Sequence, residues 1–432
     1  ETIPRNSRGR RRGVVCPLVK DRLRSARTVV PSRRPRPRQT EISERRRIIV
    51  MVALALGGFA IGTTEFVSMG LLPLIAQDFG ISENQAGHVI SAYALGVVVG
   101  APVITALTGL VPRRRLLLLL MVAFTAGHVI AALADNYALL MAARFLAGLP
   151  HGAYFSVAGL SAASMAPPGQ RGRAVAFIGM GLSIATVAGV PAAQALGQAF
   201  GWSAAYLLVA VLGLATFIAL WFLMPHMTRM APTSALTELG ALSRSQVWLT
   251  LAIGTVGFGG MFAVYTYISW TMTDPGRAGI DIGWMWLVLM AYGVGSVLGN
   301  WFGGRLADRN LEYGILFALV MVAVVLTAFY FSSVHPVAGT LNFAFIGFFV
   351  ASLIPSLQIR LMDVAGDAQT LAAALNHSAL NLANAGGAAL GGAVIAAGLG
   401  YSAPALAGAG LAVAAIAIWF PAVWLRRRAR IR

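Results

Sequence analysis

Long apolar runs separated by short polar segments fill the chain from Ile48 to Leu425. Each run is long enough to cross a bilayer as a helix, which needs about 20 mostly apolar residues. The runs do not alternate between polar and apolar positions, as the strands of a membrane barrel do. We count twelve, at 48–72, 87–108, 116–134, 138–165, 173–199, 202–224, 247–271, 284–304, 313–333, 337–359, 369–398 and 402–425. The pattern predicts an all-α integral membrane protein with twelve transmembrane helices, called spans 1 to 12 below.

The twelve spans form two sets of six. A longer polar loop, 225–246, separates the bundle at 48–224 from the bundle at 247–425. The segment GWSAA at 201–205 precedes span 6, and the similar GYSAP at 400–404 precedes span 12. Chance also produces an echo of five residues. A duplicated six-span unit would give two pseudo-symmetric halves, with a binding site near the middle of the membrane at their interface.

Composition supports a membrane protein and excludes most soluble classes. The chain has 432 residues, of which 58% are hydrophobic and 11% are charged, and its mean hydropathy is +0.75. Soluble proteins carry about 25% charged residues. A single cysteine, Cys16, excludes an intramolecular disulfide and a cysteine-rich metal site.

The net charge of +18 is concentrated in the first 47 residues, which hold 16 Lys and Arg against 4 Asp and Glu. This proline-broken segment cannot bury enough apolar surface to fold, so 1–47 is expected to be a disordered tail. It is a solvated tail, a stretch upstream of the natural start, a contact for anionic lipid or nucleic acid, or an organelle transit peptide. A stretch upstream of the natural start is considered because the first methionine of the chain is Met51. A short basic tail, 426–432, ends the chain.

The arginines between the spans predict the orientation. With the N-terminus inside, the outer connections hold one arginine, Arg277, and the inner connections hold ten. Such a bias marks the cytoplasmic side, so both termini are expected in the cytoplasm and the protein in the plasma (inner) membrane. The ten inner arginines are Arg113, Arg114, Arg115, Arg171, Arg173, Arg229, Arg244, Arg305, Arg309 and Arg360.

Two charged side chains inside spans are candidates for function, because a charge in the membrane is costly unless it is paired or faces water. Glu65 lies 8 residues before Pro73 in span 1, or about 12 Å deep, and Arg144 lies 7 residues after Tyr137 in span 4, or about 10 Å deep. At this shared depth they can form a proton-dependent salt bridge in which Glu65 loads and releases a proton. A permanent structural ion pair and the absence of any contact are the alternatives.

Further polar and aromatic side chains in the spans predict a substrate cavity. His151 lies two turns below Arg144, and a polar stripe in span 11 recurs at i, i+4 and i+7. The alternatives are a neutral histidine bonded to a carbonyl, hydrogen bonds that only join helices, and aromatic residues of the interfacial belt. The candidate cavity residues are His151, Gln194, Tyr265, Trp270, His377, Asn381 and Asn384.

The connection between spans 8 and 9 is a candidate gate. Its acid and bases, in the sequence GRLADR at 304–309, can clasp a neighbouring helix end in one conformation and release it in another. A solvated turn is the alternative. The residues that define this gate loop are Gly304, Arg305, Asp308 and Arg309.

These motifs resemble those of the Major Facilitator Superfamily, and within it the twelve-span drug:proton antiporter branch that includes arabinose, purine and chloramphenicol exporters. GTTEF at 62–66 is similar to the first-span signature, and Arg144 followed by GLPHG at 148–152 is similar to the fourth-span motif, whose arginine is implicated in proton transfer. The segment at 304–309 resembles the superfamily loop motif, whose counterpart between spans 2 and 3 keeps the bases but not the aspartate. The fifth-span exporter motif is matched, except for alanines at 192–193, by Gly181, Gly189, Pro191 and Gly197.

The resemblance implies a secondary active transporter that exports a small organic compound, such as a drug, sugar or nucleobase, by alternating access in exchange for protons. A proton-independent uniporter of a sugar-like metabolite is the alternative. We expect no enzyme activity, because the spans hold neither paired catalytic carboxylates nor histidines at metal-ligand spacing. The expected partners are the substrate, protons and the lipid bilayer. We expect no metal, no cofactor beyond the proton gradient, no nucleic acid, and a monomer.

Overall fold

The computed structural model describes residues 43–108, 111–167, 171–225, 243–366 and 369–431, and in these ranges all regular structure is helical. Most of the predicted tail 1–47 and of the loop 225–246 lies outside the described residues. Residues Glu44–Arg432 form one compact unit. The helices of the first half are α1 Glu44–Gly70, α2 Leu72–Phe79, α3 Glu83–Leu107, α4 Arg113–Ala132, α5 Tyr137–Met165, α6 Arg171–Ile184, α7 Val190–Phe200 and α8 Trp202–Leu223.

The second half repeats this order after the inter-half loop. A π turn, Ala185–Gly189, joins α6 to α7 in the first half, and a short 3-10 turn, Ile282–Trp284, precedes α11 in the second. The helices are α9 Ser245–Thr266, α10 Ile268–Thr273, α11 Met285–Arg309, α12 Leu311–Ser332, α13 Pro336–Ala365, α14 Gln369–Ala396 and α15 Ala403–Ile431.

Every predicted span coincides with one helix of this fold or, for spans 5 and 7, with two consecutive helices. In the part of the chain that the structure describes, eleven helical segments are long and apolar enough to cross a membrane. The twelfth, α5, has 29 residues but carries Arg144, Pro150 and His151, which lower its mean hydropathy. All three side chains are buried in the bundle, so α5 does not present them to lipid. The predicted twelve-helix fold is confirmed.

At three places the helices extend beyond the predicted limits of the spans. Helix α1 begins at Glu44, four residues before the expected limit, and α9 begins at Ser245, inside the expected loop. Helix α15 continues to Ile431, so the expected C-terminal tail is helical. Charged residues mark the edge of the apolar region but do not end a helix. Acidic Glu44 in the first turn instead stabilises the start of α1.

Equivalent helices pack against each other in the two halves. Helix α3 packs on α5 as α11 packs on α13, and α4 packs on α8 as α12 packs on α15. Likewise α1 packs on α6 as α9 packs on α14. The halves meet along α3 with α14, and along the π turn and α7 with α11. This interface brings spans 2, 5, 8 and 11 together, and the pseudo-symmetry inferred from the five-residue echo is present in the packing.

Glycines allow the closest of these helix contacts. A Cβ atom on Gly299 of α11 would lie 1.9 Å from the backbone oxygen of Phe348 on α13, and one on Gly100 of α3 would lie 2.1 Å from that of Leu149 on α5. Small residues let helix backbones approach where no hydrophobic driving force exists between helices.

Gly299→Ala is expected to destabilise the protein by about 1–3 kcal/mol, because the added methyl group forces α11 and α13 apart. Gly304→Ala is the matched control on the same helix, since its Cβ would meet no atom within 4 Å. The measurement is the thermal unfolding midpoint in detergent. Equal midpoints for the two variants would contradict the close packing.

Candidate transport site

The buried arginine of α5 is held by a hydroxyl and two aromatic rings. Arg144 is fully buried, and its Nη1 donates to Thr64 Oγ1 at 2.9 Å. Its guanidinium carbon lies 4.3 Å from the ring centre of Tyr93 and 5.2 Å from that of Tyr206. Its Nε and Nη2 have no hydrogen-bond partner among the residues that the structure describes. A charged guanidinium with free donors in the bundle is costly in free energy, which suits a residue with a role in transport.

The buried acid of α1 is within electrostatic range of this arginine but does not pair with it. Glu65 is 8% exposed, and its charge interacts with Arg144, with Tyr93 of α3 and with Tyr292 of α11. The ion pairs of 4 Å or less among the described residues do not include Glu65. The predicted salt bridge is therefore open in this conformation, because Arg144 is directed to the neighbouring Thr64 instead.

A histidine that the sequence analysis missed completes the network. His128 of α4 is fully buried, with Nε2 at 2.7 Å from Thr64 Oγ1 and Nδ1 at 2.8 Å from the carbonyl oxygen of Phe124. Glu65 and Arg144 were singled out because a titratable side chain inside a span is costly. The same rule applies to a histidine in the middle of span 3. Three helices of the first half, α1, α4 and α5, are thus joined by one chain of hydrogen bonds.

Two predicted cavity histidines meet across the two halves. The rings of His151 on α5 and His377 on α14 lie 6.0 Å apart, and His377 stacks on Phe155 at 5.1 Å with an interplanar angle of 10°. His151 Nδ1 lies 3.1 Å from the Tyr93 hydroxyl. The histidines therefore form part of the interface between spans 4 and 11. A backbone carbonyl was considered as the partner of His151. In the described chain its Nδ1 instead contacts the hydroxyl of Tyr93.

The polar stripe of α14 is buried next to this pair. Asn381 and Asn384 are both about 1% exposed, and the side-chain oxygens of both lack a hydrogen-bond partner among the described residues. Asn381 Nδ2 donates to the backbone oxygen of His377 at 3.1 Å. Unsatisfied amide oxygens cost free energy in a bundle core, so these two acceptors suit a ligand or water in the transport pathway.

The other three predicted cavity residues have structural partners. Gln194 Nε2 donates to the backbone oxygen of Gly70 at 3.0 Å and so joins α7 to α1. Tyr265 is fully buried in an aromatic cluster, with ring centres 4.7 Å from Tyr292 and 5.3 Å from Phe66. Trp270 is half-buried and packs on Tyr267 at 5.8 Å. These contacts are those of helix packing, whereas the sequence analysis had considered helix-joining hydrogen bonds only for the stripe of span 11 and the interfacial belt for the aromatic residues.

The glycines of the fifth-span motif pack span 5 against span 1. A Cβ atom on Gly181 would lie 2.1 Å from the backbone oxygen of Ala55, one on Gly189 would lie 2.1 Å from Thr63 Oγ1, and one on Gly197 would lie 2.6 Å from Leu71 Cδ2.

The motif proline follows the π turn directly. Pro191 lies two residues after Gly189, the last residue of the turn. Proline has no N–H and interrupts the helical hydrogen bonds, which accounts for the irregular turn. This turn also contacts the second half, because a Cβ on Gly293 of α11 would lie 2.2 Å from the Thr186 backbone oxygen.

The predicted gate loop is helical. Gly304, Arg305, Asp308 and Arg309 belong to the last turns of α11, which ends at Arg309 because Asn310 caps α12 by accepting from Tyr313 N at 3.1 Å. The Arg305 guanidinium lies 3.3 Å from the ring centre of Trp301 on its own helix. In the described chain, no ion pair of 4 Å or less includes Asp308 or Arg309. The expected clasp by this motif is therefore absent in this conformation.

An ion-pair cluster that the sequence analysis missed lies next to the motif. Glu312 of α12 accepts from Arg360 Nη1 of α13 at 2.5 Å and from Arg426 Nη1 of α15 at 2.9 Å. Arg426 Nη2 also donates to Asp363 Oδ2 at 3.0 Å. Arg360 was predicted only as an anchor for orientation, yet it is fully buried. The cluster joins three helices of the second half.

Two hydrogen bonds between the halves, those of Ser269 and Tyr401, lie at the end of the bundle opposite these arginines. The arginine-rich end carries the connections α3–α4, α5–α6, α11–α12 and α13–α14. At the other end, Ser269 Oγ of α10 donates to the Gly70 backbone oxygen at 2.9 Å, and Tyr401 hydroxyl donates to Glu83 Oε1 at 2.9 Å. Burial, the hydrogen bond to Glu83 and nearby carboxylates raise the pKa of Tyr401 to about 12, so the phenol remains a donor at neutral pH.

Comparisons with known proteins agree with this fold. The family model of the Major Facilitator Superfamily matches residues 54–334. The chain is 42% identical over 344 residues to the inner membrane transport protein YdhP of Escherichia coli O157:H7, covering 80% of this chain and 88% of that protein. It is 34% identical over 339 residues to a chloramphenicol resistance protein of Streptomyces lividans, covering 77% of this chain and 86% of that protein.

A solved structure shares the fold at low sequence identity. It is a bacterial homologue of the human lysosomal transporter Spinster in an inward-facing, unoccupied conformation, with a TM-score of 0.69 and 15% identity. The match covers 88% of this chain and 97% of that chain. The family model spans more than half of this chain, and YdhP matches it at well over 30% identity. The protein therefore belongs to the Major Facilitator Superfamily and is a multi-pass membrane transporter.

Proposed function

We propose that this transporter exports a small organic compound from the cytoplasm by alternating access, in exchange for protons. The observation that carries the proposal is Glu65, an unpaired acid buried between the two halves, with Arg144 and tyrosines from both halves in electrostatic range. A carboxyl that no cation neutralises takes up a proton more readily than one in an ion pair. Arg144, with two free donors, can bring it back to the ionised form in another conformation.

The contacts between the halves support alternating access. Hydrogen bonds from Ser269 and Tyr401 join the halves at the end opposite the arginines. At the arginine-rich end, the ion pairs of Glu312 stay within the second half. If the arginine-rich end faces the cytoplasm, as the positive-inside rule favours, this conformation is closed on the outer side. Relatives named as an inner membrane transport protein and a chloramphenicol resistance protein support a bacterial inner membrane location and the outward direction.

The test begins with a host deleted for its own exporters, in which drug susceptibility and metabolite accumulation are compared with and without this protein. Chloramphenicol is the first compound to try. Each compound that the protein removes is then assayed in inside-out vesicles with an imposed pH gradient. We expect uptake that needs an acidic vesicle interior and stops when an ionophore collapses the gradient. Uptake that ignores the gradient would contradict antiport and establish the proton-independent uniporter instead.

A further inference from the structure

Three hydrogen bonds around Thr64 fit one assignment of protons in which the threonine hydroxyl hydrogen has an acceptor. The carbonyl oxygen of Phe124 only accepts, so His128 Nδ1 at 2.8 Å must carry a hydrogen. A guanidinium only donates, so Thr64 Oγ1 accepts from Arg144 Nη1. The remaining hydroxyl hydrogen of Thr64 then points to His128 Nε2 at 2.7 Å, which accepts it. In this assignment the histidine is neutral, with its hydrogen on Nδ1.

This arrangement fixes the position of the arginine. Because His128 takes the hydroxyl hydrogen of Thr64, a lone pair of Oγ1 faces Arg144, whose Nη1 binds it at 2.9 Å. Tyr93 and Tyr206 cover the guanidinium from α3 and α8, at 4.3 and 5.2 Å. Glu65 is the next residue along α1, yet it forms no ion pair with Arg144.

We propose that His128, acting through the Thr64 hydroxyl, is a positioning residue that keeps Arg144 out of ion-pair contact with Glu65. The proposal rests on the proposed function, in which Glu65 is the proton carrier. The charged and titratable groups around this site are Arg144 of α5, His128 of α4, Tyr93 of α3, Tyr206 of α8 and Tyr292 of α11. Without the acceptor on His128, the Thr64 hydroxyl is free to turn its hydrogen towards the guanidinium, which is then released towards Glu65.

The test measures protonation of Glu65 without any transport. A hydrophobic carbodiimide labels buried carboxyls in their protonated form, and Glu65→Gln gives the background from other acids. Labelling of the purified protein is followed by mass spectrometry across a range of pH. In His128→Leu and in Thr64→Val, the pH of half-maximal labelling is expected to fall by about one unit, a tenfold loss of proton affinity, because the nearby cation favours the ionised acid.

Two conservative variants separate positioning from folding. His128→Gln keeps an acceptor near the position of Nε2 and cannot be protonated, and Thr64→Ser keeps the hydroxyl. Both are expected to label as the wild-type protein does. Folding of each variant is checked by its unfolding midpoint. If His128→Leu does not fold, the labelling of Thr64→Val alone tests the proposal.

An unchanged labelling profile in a folded His128→Leu or Thr64→Val protein would overturn the proposal. So would a shift in His128→Gln as large as that in His128→Leu, because the acceptor would then not matter. Failure of the proposed function is recognised separately: if Glu65→Gln keeps gradient-driven uptake, Glu65 is not the carrier, whereas the labelling shifts still report on the position of Arg144.

Discussion

Glu65→Gln is expected to remove all pH-gradient-dependent transport while leaving the protein folded. Glutamine has nearly the shape of glutamate but cannot bind and release a proton, so the exchange loses its carrier. The side chain is 8% exposed and has no ion-pair partner among the described residues. Replacing an unpaired buried acid by a neutral isostere does not lower stability. The measurement is uptake in inside-out vesicles with and without an imposed pH gradient.

The matched control is the same substitution at Glu44, the first residue of α1. Its side chain is 79% exposed and forms an ion pair with Arg47 at 3.4 Å. Uptake by Glu44→Gln is expected to match that of the wild type. Gradient-driven uptake that survives in Glu65→Gln would refute the role of Glu65. Substrate exchange without a gradient is informative as well, since a variant that binds substrate but cannot couple it to protons keeps this activity.

Much of the fold could be predicted from the sequence because the bilayer imposes a simple rule. Each crossing needs a long apolar helix, so runs of hydropathy locate the spans even where two residues, Phe200 and Gly201, separate spans 5 and 6. The same rule misjudges helix ends, because helices such as α15 continue beyond the apolar region to Ile431. The π turn was not predicted either, although the proline that accounts for it, Pro191, is visible in the sequence.

The candidate site was predictable only in part. Depth along a helix follows from counting residues, and this singled out Glu65 and Arg144, which lie within electrostatic range. Partners depend on how each helix is rotated in the bundle, which the sequence does not state. Two sets of partners were therefore not predicted. Arg144 binds Thr64 rather than Glu65, and Tyr265 packs in an aromatic cluster.

Glu312→Gln is expected to destabilise the protein by about 3 kcal/mol, because it leaves the buried charge of Arg360 without its counter-ion. Glu312 accepts hydrogen bonds from Arg360 at 2.5 Å, from Arg426 at 2.9 Å and from Trp419 Nε1 at 3.0 Å. The other polar contact of the Arg360 guanidinium is Gln246 at 3.4 Å, which does not replace a carboxylate. The measurement is the free energy of unfolding in mixed micelles, or the thermal midpoint where unfolding is irreversible.

Asp363→Asn provides the matched control, because Asp363 belongs to the same cluster but is half-exposed and forms its ion pair with Arg426 rather than with the buried Arg360. Its cost should stay below about 1 kcal/mol, as for other exposed ion pairs. A double variant, Glu312→Leu with Arg360→Met, removes both buried charges and is expected to be more stable than Glu312→Gln, since an apolar pair carries no desolvation penalty. If Glu312→Gln and Asp363→Asn cost the same, the cluster acts as a set of surface ion pairs and does not hold α12, α13 and α15 together.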